Sequence, residues 1–377
     1  MFPVIPRPST TLMLVVRNQL TNHQQSVPPV CYKLLMLQRS SNMKFMPNRY
    51  VFPGGVSEIT DFSSEWMDLI GSKELQLRPT MTSAPFYETY SKQLTKDSLP
   101  AHVGFRICAI RETFEESGVL LVRSLRDQDE GGRSAGLVRK MLSDDEIKSW
   151  RGKIHSNSSL FIELCRHIQC VPDIWSLYEW SNWTTPAGNI ARRFNTMFYL
   201  AFLNNEPEMS HDGTEVVCST WVTPSDAVDY RLSNMLQIAP PQFYEMSRLC
   251  RFSTVDDLKS FVMSLEGVDN IESVIVESSD GGDIISFLPG DDMYEKMKWD
   301  TYKHYENIVN STQAKDLKHV LPFMKVPQTT HELLAETRGV TNRIAFNFEK
   351  SLYKVNCTAK LKYNMPAPLA PSTMAKL

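Results

Sequence analysis

The sequence predicts an α/β fold in which strands and helices alternate along the chain, and three features carry that reading. Apolar, β-rich runs at Thr11–Arg17 (TLMLVVR) and Cys31–Gln38 (CYKLLMLQ) read as strands near the start. His102 to Ser117 reads as a helix with Ile107, Ile110 and Phe114 on its core face, closed by Gly118. Two further buried-strand patterns follow it, Arg193–Leu203 (RFNTMFYLAFL) and Glu215–Val222 (EVVCSTWV). At 377 residues and 42% hydrophobic, the chain can bury one large core or two smaller ones.

Taken in order, the first two strands are separated by a polar, proline-bearing loop. Tyr50–Phe52 then runs into Pro53-Gly54-Gly55, a turn that brings backbone N–H groups close to whatever sits above it. Residues 62–102 are polar, with aromatic residues and Pro79, Pro85 and Pro100, and read as an insertion with some helix. Val119–Arg123 is expected as a strand, and Ser143–Ile154 and Leu160–Gln169 as helices. Pro224-Ser225-Asp226-Ala227 opens another helix. A C-terminal region begins near Leu232. There Ser253 is placed to cap a helix with Asp256 and Asp257 in its first turn and Gly267 after its end. Ser273–Glu277 and Ile284–Leu288 flank Asp280-Gly281-Gly282, a hairpin signal. The expected organisation is a first domain over 1–230, an extension packed on it over 231–363, and an exposed, mobile, proline-broken tail over 364–377.

Charge and cysteine content bound the function. A net charge of −3 gives no global field for nucleic acid, and none is expected as a partner. The first acidic residue is Glu58, preceded by Arg7, Arg17, Lys33, Arg39, Lys44 and Arg49. That start suits an anionic substrate, an ordinary basic edge of a fold, or a mitochondrial presequence; Thr11–Arg17, needed as a strand, weighs against the last. The seven cysteines are widely spaced with no CxxC. Cys165, His167 and Cys170 lack a second pair, which favours inert, reduced thiols over zinc. No apolar run approaches the ~18 residues of a membrane span.

The chemistry is concentrated in Arg111-Glu112-Thr113-Phe114-Glu115-Glu116-Ser117-Gly118-Val119. On a helix, positions 112, 115 and 116 are i, i+3 and i+4, so three carboxylates share one face. Like charges so placed destabilise a helix by roughly 0.2–0.5 kcal/mol. A hard divalent cation reverses that sign, because Mg²⁺ takes oxygen ligands from a few carboxylates and from substrate phosphates. Arg111 is the natural tether for one of the acids, and a solvated glutamate-rich face is the alternative for the three glutamates alone.

The segment resembles the Nudix box: glycine, five residues, an acid, seven residues, then Arg-Glu-aliphatic-x-Glu-Glu-x-Gly-aliphatic. Arg111 to Val119 matches every fixed charged and glycine position, Gly55 supplies the leading glycine, and Asp61 stands where the family usually has glutamate. Thr113 replaces the aliphatic residue, and residues 62–110 separate Asp61 from Arg111, so the box is split. A split box is similar to that of the nucleoside diphosphate-linked moiety X motif 19 branch, peroxisomal coenzyme A diphosphatases. Pro172-Asp173-Ile174-Trp175, Arg192-Arg193-Phe194, Pro240-Pro241-Gln242-Phe243-Tyr244-Glu245 and Leu288-Pro289-Gly290-Asp291-Asp292 extend the likeness over most of the chain.

The resemblance implies a Nudix α/β/α sandwich, a mixed sheet between helices, with a large insertion inside the box and a C-terminal extension. It implies Glu112, Glu115 and Glu116 as ligands of Mg²⁺ or Mn²⁺, with Arg111 beside them. The family draws a further acid from a later loop; Glu215 is the candidate, with a plain surface glutamate as the alternative. A second signature of coenzyme A-cleaving members is present in part. Phe52-Pro53-Gly54-Gly55 stands with Ser40, but Lys44 and Asn48 replace the expected arginine and glycine. Lys44, with Arg39 or Arg49, is placed to meet the 3′-phosphate of coenzyme A, unless these are solvated loop cations. The implied substrates are coenzyme A and acyl-coenzyme A. NADH, ADP-ribose or capped RNA is the rival class, and a non-catalytic Nudix module a third reading. Ala375-Lys376-Leu377 is a conservative variant of the Ser-Lys-Leu address read by the peroxisomal import receptor.

Overall fold

A computed structural model describes residues 5–18, 30–43, 46–71, 85–124, 141–188, 192–210, 215–268, 270–280, 282–312, 322–334, 339–347, 352–361 and 365–368. Lys44, residues 211–214 and Ala375-Lys376-Leu377 lie outside them.

Strands β1 (Arg7–Arg17) and β2 (Tyr32–Arg39) are the two apolar N-terminal runs, and β3 (Tyr50–Val51) and β4 (Gly54–Val56) flank Pro53. A 3₁₀ turn at Ile59–Phe62 leads to α1 (Glu65–Ile70), α2 (Pro85–Ser91) and the long α3 (Ala101–Ser117). Next come β5 (Val122–Ser124), α4 (Asp144–Ser156), α5 (Leu160–His167) and β6 (Cys170–Pro172). Strands β7 (Tyr178–Thr184), β8 (Phe194–Leu203) and β9 (Val216–Val222) precede helices α6 (Pro224–Leu232), α7 (Pro240–Leu249) and α8 (Val255–Ser264). The C-terminal part holds β10 (Asn270–Glu272), β11 (Val274–Glu277), β12 (Ile284–Phe287), α9 (Tyr294–Ser311), β13 (Met324–Lys325), α10 (Thr330–Leu334), β14 (Asn342–Asn347) and β15 (Leu352–Cys357).

The main sheet has the order β10-β7-β8-β1-β2-β3, with β4 added to β1 and β9 to β2. It is mixed: β1 runs parallel to β8 and antiparallel to β2 and β4. Alternation along β1 sends Leu12 and Leu14 to a core shared with α3, and Met13 and Val15 to a core shared with α6, α7 and α8. Helices thus cover both faces, as the α/β/α expectation requires. A second sheet, β13-β11-β12-β14-β15, has its own core beneath α9 and α10 on one face, while Ile344 and Phe346 join the core under α7 from the other.

Local rules account for most boundaries. Helix α3 ends at Gly118 in the left-handed conformation, its amide donating to the Phe114 carbonyl. Ser143 and Glu146 form a reciprocal capping box on α4. The hairpin β11/β12 stands where the Asp280-Gly281-Gly282 signal put it. Three expectations are corrected. The expected strand at Val119–Arg123 is displaced to β5, which pairs with β6 apart from the main sheet, because the Leu121 carbonyl accepts from Asp173 N–H. The cap of α8 is Thr254, one residue after Ser253; its hydroxyl accepts from Asp257 N–H, and the helix ends at Ser264, well before Gly267. The tail is not exposed from its start: Arg248 donates to the Pro366 carbonyl at 3.0 Å, Arg251 to that of Ala367 at 2.9 Å, and Pro368 is buried.

Candidate active site

The split box is rejoined by packing. Phe62, at the end of the 3₁₀ turn, lies edge-on to Phe105 of α3 at 5.0 Å, and α2 adds Phe86 at 4.5 Å from the same ring. A Cβ on Gly104 would stand 2.2 Å from the Phe62 ring, so this helix position admits only glycine while Phe62 stays where it is. The contact carries Asp61 to Arg111. Asp61 also accepts from Glu58 N–H, which fixes its carboxylate. Its two oxygens receive Arg111 Nε and Nη2 at 2.8 and 2.9 Å, a bidentate pair buried from solvent. The aspartate's shorter arm therefore serves as an anchor for the box arginine.

Arg111 turns its remaining donors on the acids: Nη1 reaches Glu112 at 2.8 Å and Glu115 at 2.7 Å, and Nη2 donates to the Val56 carbonyl. Glu116 accepts from Gly54 N–H at 2.9 Å. The Gly-Gly turn lies directly against the helix, since a Cβ on Gly55 would meet Glu112 Oε2 at 2.2 Å. Thr113 is buried with its hydroxyl donating to the Ala109 carbonyl, which explains how it fills an aliphatic position. Arg151 of α4 donates twice to the Glu115 carbonyl and holds the C-terminal turn of α3.

Burial sets the electrostatics. It is the largest cause of a raised proton affinity in all three box glutamates. Glu112 is pushed up to about 7, with Glu115 and Asp61 adding to the effect and Arg111 opposing it. Glu116 is raised well above the carboxylate range, with Glu112 and Glu215 adding to the effect and Arg39 opposing it.

Glu112, Glu115, Glu116, Arg111, Gly54, Gly55, Arg39 and Glu215 all line one cavity of about 1000 Å³. Glu215 and Arg39 are far apart in sequence but adjacent in space, because β2 pairs with β9 and Ser40 N–H donates to the Glu215 carbonyl. Arg49 is not among the lining residues. Its guanidinium donates to Gln237, because Tyr50 N–H bonds the Gln237 carbonyl and draws the start of β3 against that loop. Lys44, the remaining candidate for the 3′-phosphate, falls outside the described residues. Asn48 adopts the left-handed conformation at φ 59, which asparagine tolerates and which suits the glycine of the related signature. Reading the sequence left out Arg7, His155 and Arg192 as site residues, though all three line the cavity. Arg192 stood within a motif already noticed and Arg7 within the acid-free basic start; His155 carried no local signal.

The expected three-carboxylate grip is not closed. Among the described residues no three His, Cys, Asp or Glu side chains converge as a ligand cage, because Arg111 and Gly54 N–H already hold oxygens of these acids. The donor set still fits a hard cation. It offers only oxygens, its charge is incompletely balanced, and Mg²⁺ draws much of its shell from water and substrate phosphate.

A buried arginine clasped by an aspartate, acids turned toward a glycine turn, and a mixed sheet between helices together define a Nudix hydrolase, a class that uses divalent metal ions. Comparison with known proteins takes this further. A model of the NUDT19 Nudix domain matches residues 7–249. The chain is 41% identical over 288 residues to the acyl-coenzyme A diphosphatase NUDT19 of Xenopus laevis, covering 73% of this chain and 74% of that one. It is 37% and 33% identical over 353 residues to the proteins of that name from Gallus gallus and Homo sapiens, covering 90% of this chain and 88% of each. The chain belongs to the NUDT19 Nudix family.

Proposed function

We propose that this protein hydrolyses the diphosphate bond of coenzyme A and acyl-coenzyme A to 3′,5′-ADP and (acyl-)4′-phosphopantetheine, with Mg²⁺ or Mn²⁺. The observation that carries the reading is the single cavity holding Glu112, Glu115 and Glu116 beside Arg39 and Glu215. Its volume of about 1000 Å³ suits a ligand much larger than a bare diphosphate. The relatives' shared name, acyl-coenzyme A diphosphatase, supports the same substrate.

A divalent cation supplies charge that neutralises the diphosphate oxygens and lowers the pKa of a water. The chain supplies the rest. Arg111 orients Glu112 and Glu115, and the Gly54 N–H orients Glu116. Glu215 or one of the box glutamates accepts the proton of the attacking water. Water oxygen joins one phosphorus as the bridging P–O bond breaks, and the second phosphate leaves. Arg39 lies close enough to Glu116 to lower its proton affinity, and is placed to meet the anionic substrate.

The test compares hydrolysis of coenzyme A, acyl-coenzyme A, NADH and ADP-ribose with Mg²⁺ and with Mn²⁺. Preferential turnover of the first two is expected. Turnover of NADH or ADP-ribose with coenzyme A untouched overturns the proposal. Glu116→Gln should lower kcat by at least about a hundredfold while leaving the fold intact; an unchanged rate would remove Glu116 from the chemistry. We propose in addition that Ala375-Lys376-Leu377 directs the protein to the peroxisome. A fluorescent protein carrying residues 364–377 should reach peroxisomes and lose them when Leu377 is deleted.

A further inference from the structure

The cavity has two unlike walls. Near the Gly-Gly turn it is charged. Away from it, two sheets approach each other across the cavity. From the main sheet, β8 contributes Phe194, Thr196 and Phe198 on one side of the strand, while Met197 and Tyr199 turn into the core shared with α3. From the second sheet come Ile275, Ser286 and Ile344, which are direct register partners across β11, β12 and β14. Their neighbours Val276, Ile285 and Ala345 point the opposite way, into the core beneath α9. The period of two in each strand therefore gives the C-terminal sheet a second apolar face, and that face looks into the cavity. None of these six lining residues is charged. The cationic lining residues sit at the margins: Arg7, the register partner of Phe194, and Arg192, two residues before it, at one end of β8, and Arg39 and Arg111 beside the Gly-Gly turn.

We infer that this chamber between the two sheets is the subsite for the acyl chain, and that the C-terminal sheet sets chain-length preference. The inference rests on the acyl-coenzyme A reading above and assigns one end of that substrate to one wall. Of the substrate's parts, only the acyl chain lacks polar groups throughout. Against the second-sheet wall of Ile275, Ser286 and Ile344 a 3′-phosphorylated nucleotide would find no charged partner for its phosphate, Arg7 and Arg192 lying at the Phe194 end, whereas an apolar chain is favoured there by leaving water. Thr196 and Ser286 are the polar members of the six, and the Thr196 hydroxyl is already paired with that of Ser9 at 2.6 Å.

The test measures kcat/KM for unacylated, acetyl, hexanoyl and dodecanoyl coenzyme A in the full chain and two variants, each checked by thermal melting. Ile275→Trp fills the chamber from the second sheet. Phe323→Ala, at a loop position lining the same cavity, enlarges it without touching a strand. Filling should lower kcat/KM for dodecanoyl coenzyme A about tenfold or more and leave unacylated coenzyme A within about threefold. Enlarging should shift the preference toward longer chains. An equal fall on all four substrates with a normal melt would place a shared part of the substrate, the nucleotide or pantetheine, in the chamber and overturn the proposal. No change on any substrate in either variant would also overturn it. Failure of the unaltered chain to cut any coenzyme A substrate would instead remove the functional reading on which it stands.

Discussion

Arg111 joins the two halves of the box, and its chemistry fixes two expected outcomes. Its guanidinium and the Asp61 carboxylate are both buried, and each neutralises the other. Asp61→Asn removes the bidentate carboxylate but leaves Arg111 paired with Glu112 and Glu115, so the expected cost is about 1–3 kcal/mol. Denaturant unfolding should register a loss of that size; a change below about 1 kcal/mol would deny the pair its anchoring role. The second outcome concerns pH. Glu112 has a proton affinity raised from 4.5 to about 7, so between those values the folded protein without metal holds a proton that the unfolded chain has lost. Its contribution to stability is therefore present in full below 4.5 and is lost as pH rises through about 7. A divalent cation binds the deprotonated acid and works in the opposite direction. The rise in melting temperature on adding Mg²⁺ should be larger at about pH 8 than at about pH 6. Equal shifts at the two values would mean that Glu112 does not titrate with the ion.

At the scale of elements, α3 shows how a helix is placed by what it excludes. Ile107, Ile110 and Phe114 are fully buried and set its core face. The position of the helix against the 3₁₀ turn depends on Gly104, where any Cβ would strike the Phe62 ring. Gly104→Ala must push Phe62 aside and with it Asp61, the next residue back. An overpacking cost of about 1–3 kcal/mol is expected, together with a fall in kcat, although residue 104 is remote from the carboxylates. Lost stability with kcat kept would separate the packing contact from the site. The turn below α3 follows the same logic: a Cβ at Gly55 would stand 2.2 Å from Glu112 Oε2.

Across the molecule, the second sheet and the tail pack onto the main sheet and its helices. Ile344, Phe346 and Val355 of the second sheet share a core with Met13 and Val15 of β1, so the two sheets are stabilised together. Beyond them, Arg248 pairs with Glu245, which receives the indole N–H groups of Trp180 and Trp183, and then holds the Pro366 carbonyl. The tail is thus tied to a buried charge network. Removing residues 365–377 takes away the Pro366 and Ala367 carbonyls that accept from Arg248 and Arg251 and should cost about 1–3 kcal/mol with kcat retained. A shortened chain that melts with the full one would show the strap to be idle.

Local pattern was enough for the box helix and its glycine cap, for β1, β2, β8 and β9, and for the β11/β12 hairpin, because their periodicity and turn residues are read within a few positions. It was silent on β7, where every residue is buried and no alternation survives, and on β14 and β15, whose pairing is settled by partners distant in sequence. The three acids could be named from their spacing. That Asp61 grips Arg111 across the insertion, that Glu215 stands beside Arg39, and that Arg49 turns away to Gln237 came only from tertiary structure. The physical reason is range. Helical spacing and turn chemistry act between neighbours in the chain, whereas the direction of a side chain in a cavity is decided by which strands pair and which rings exclude one another.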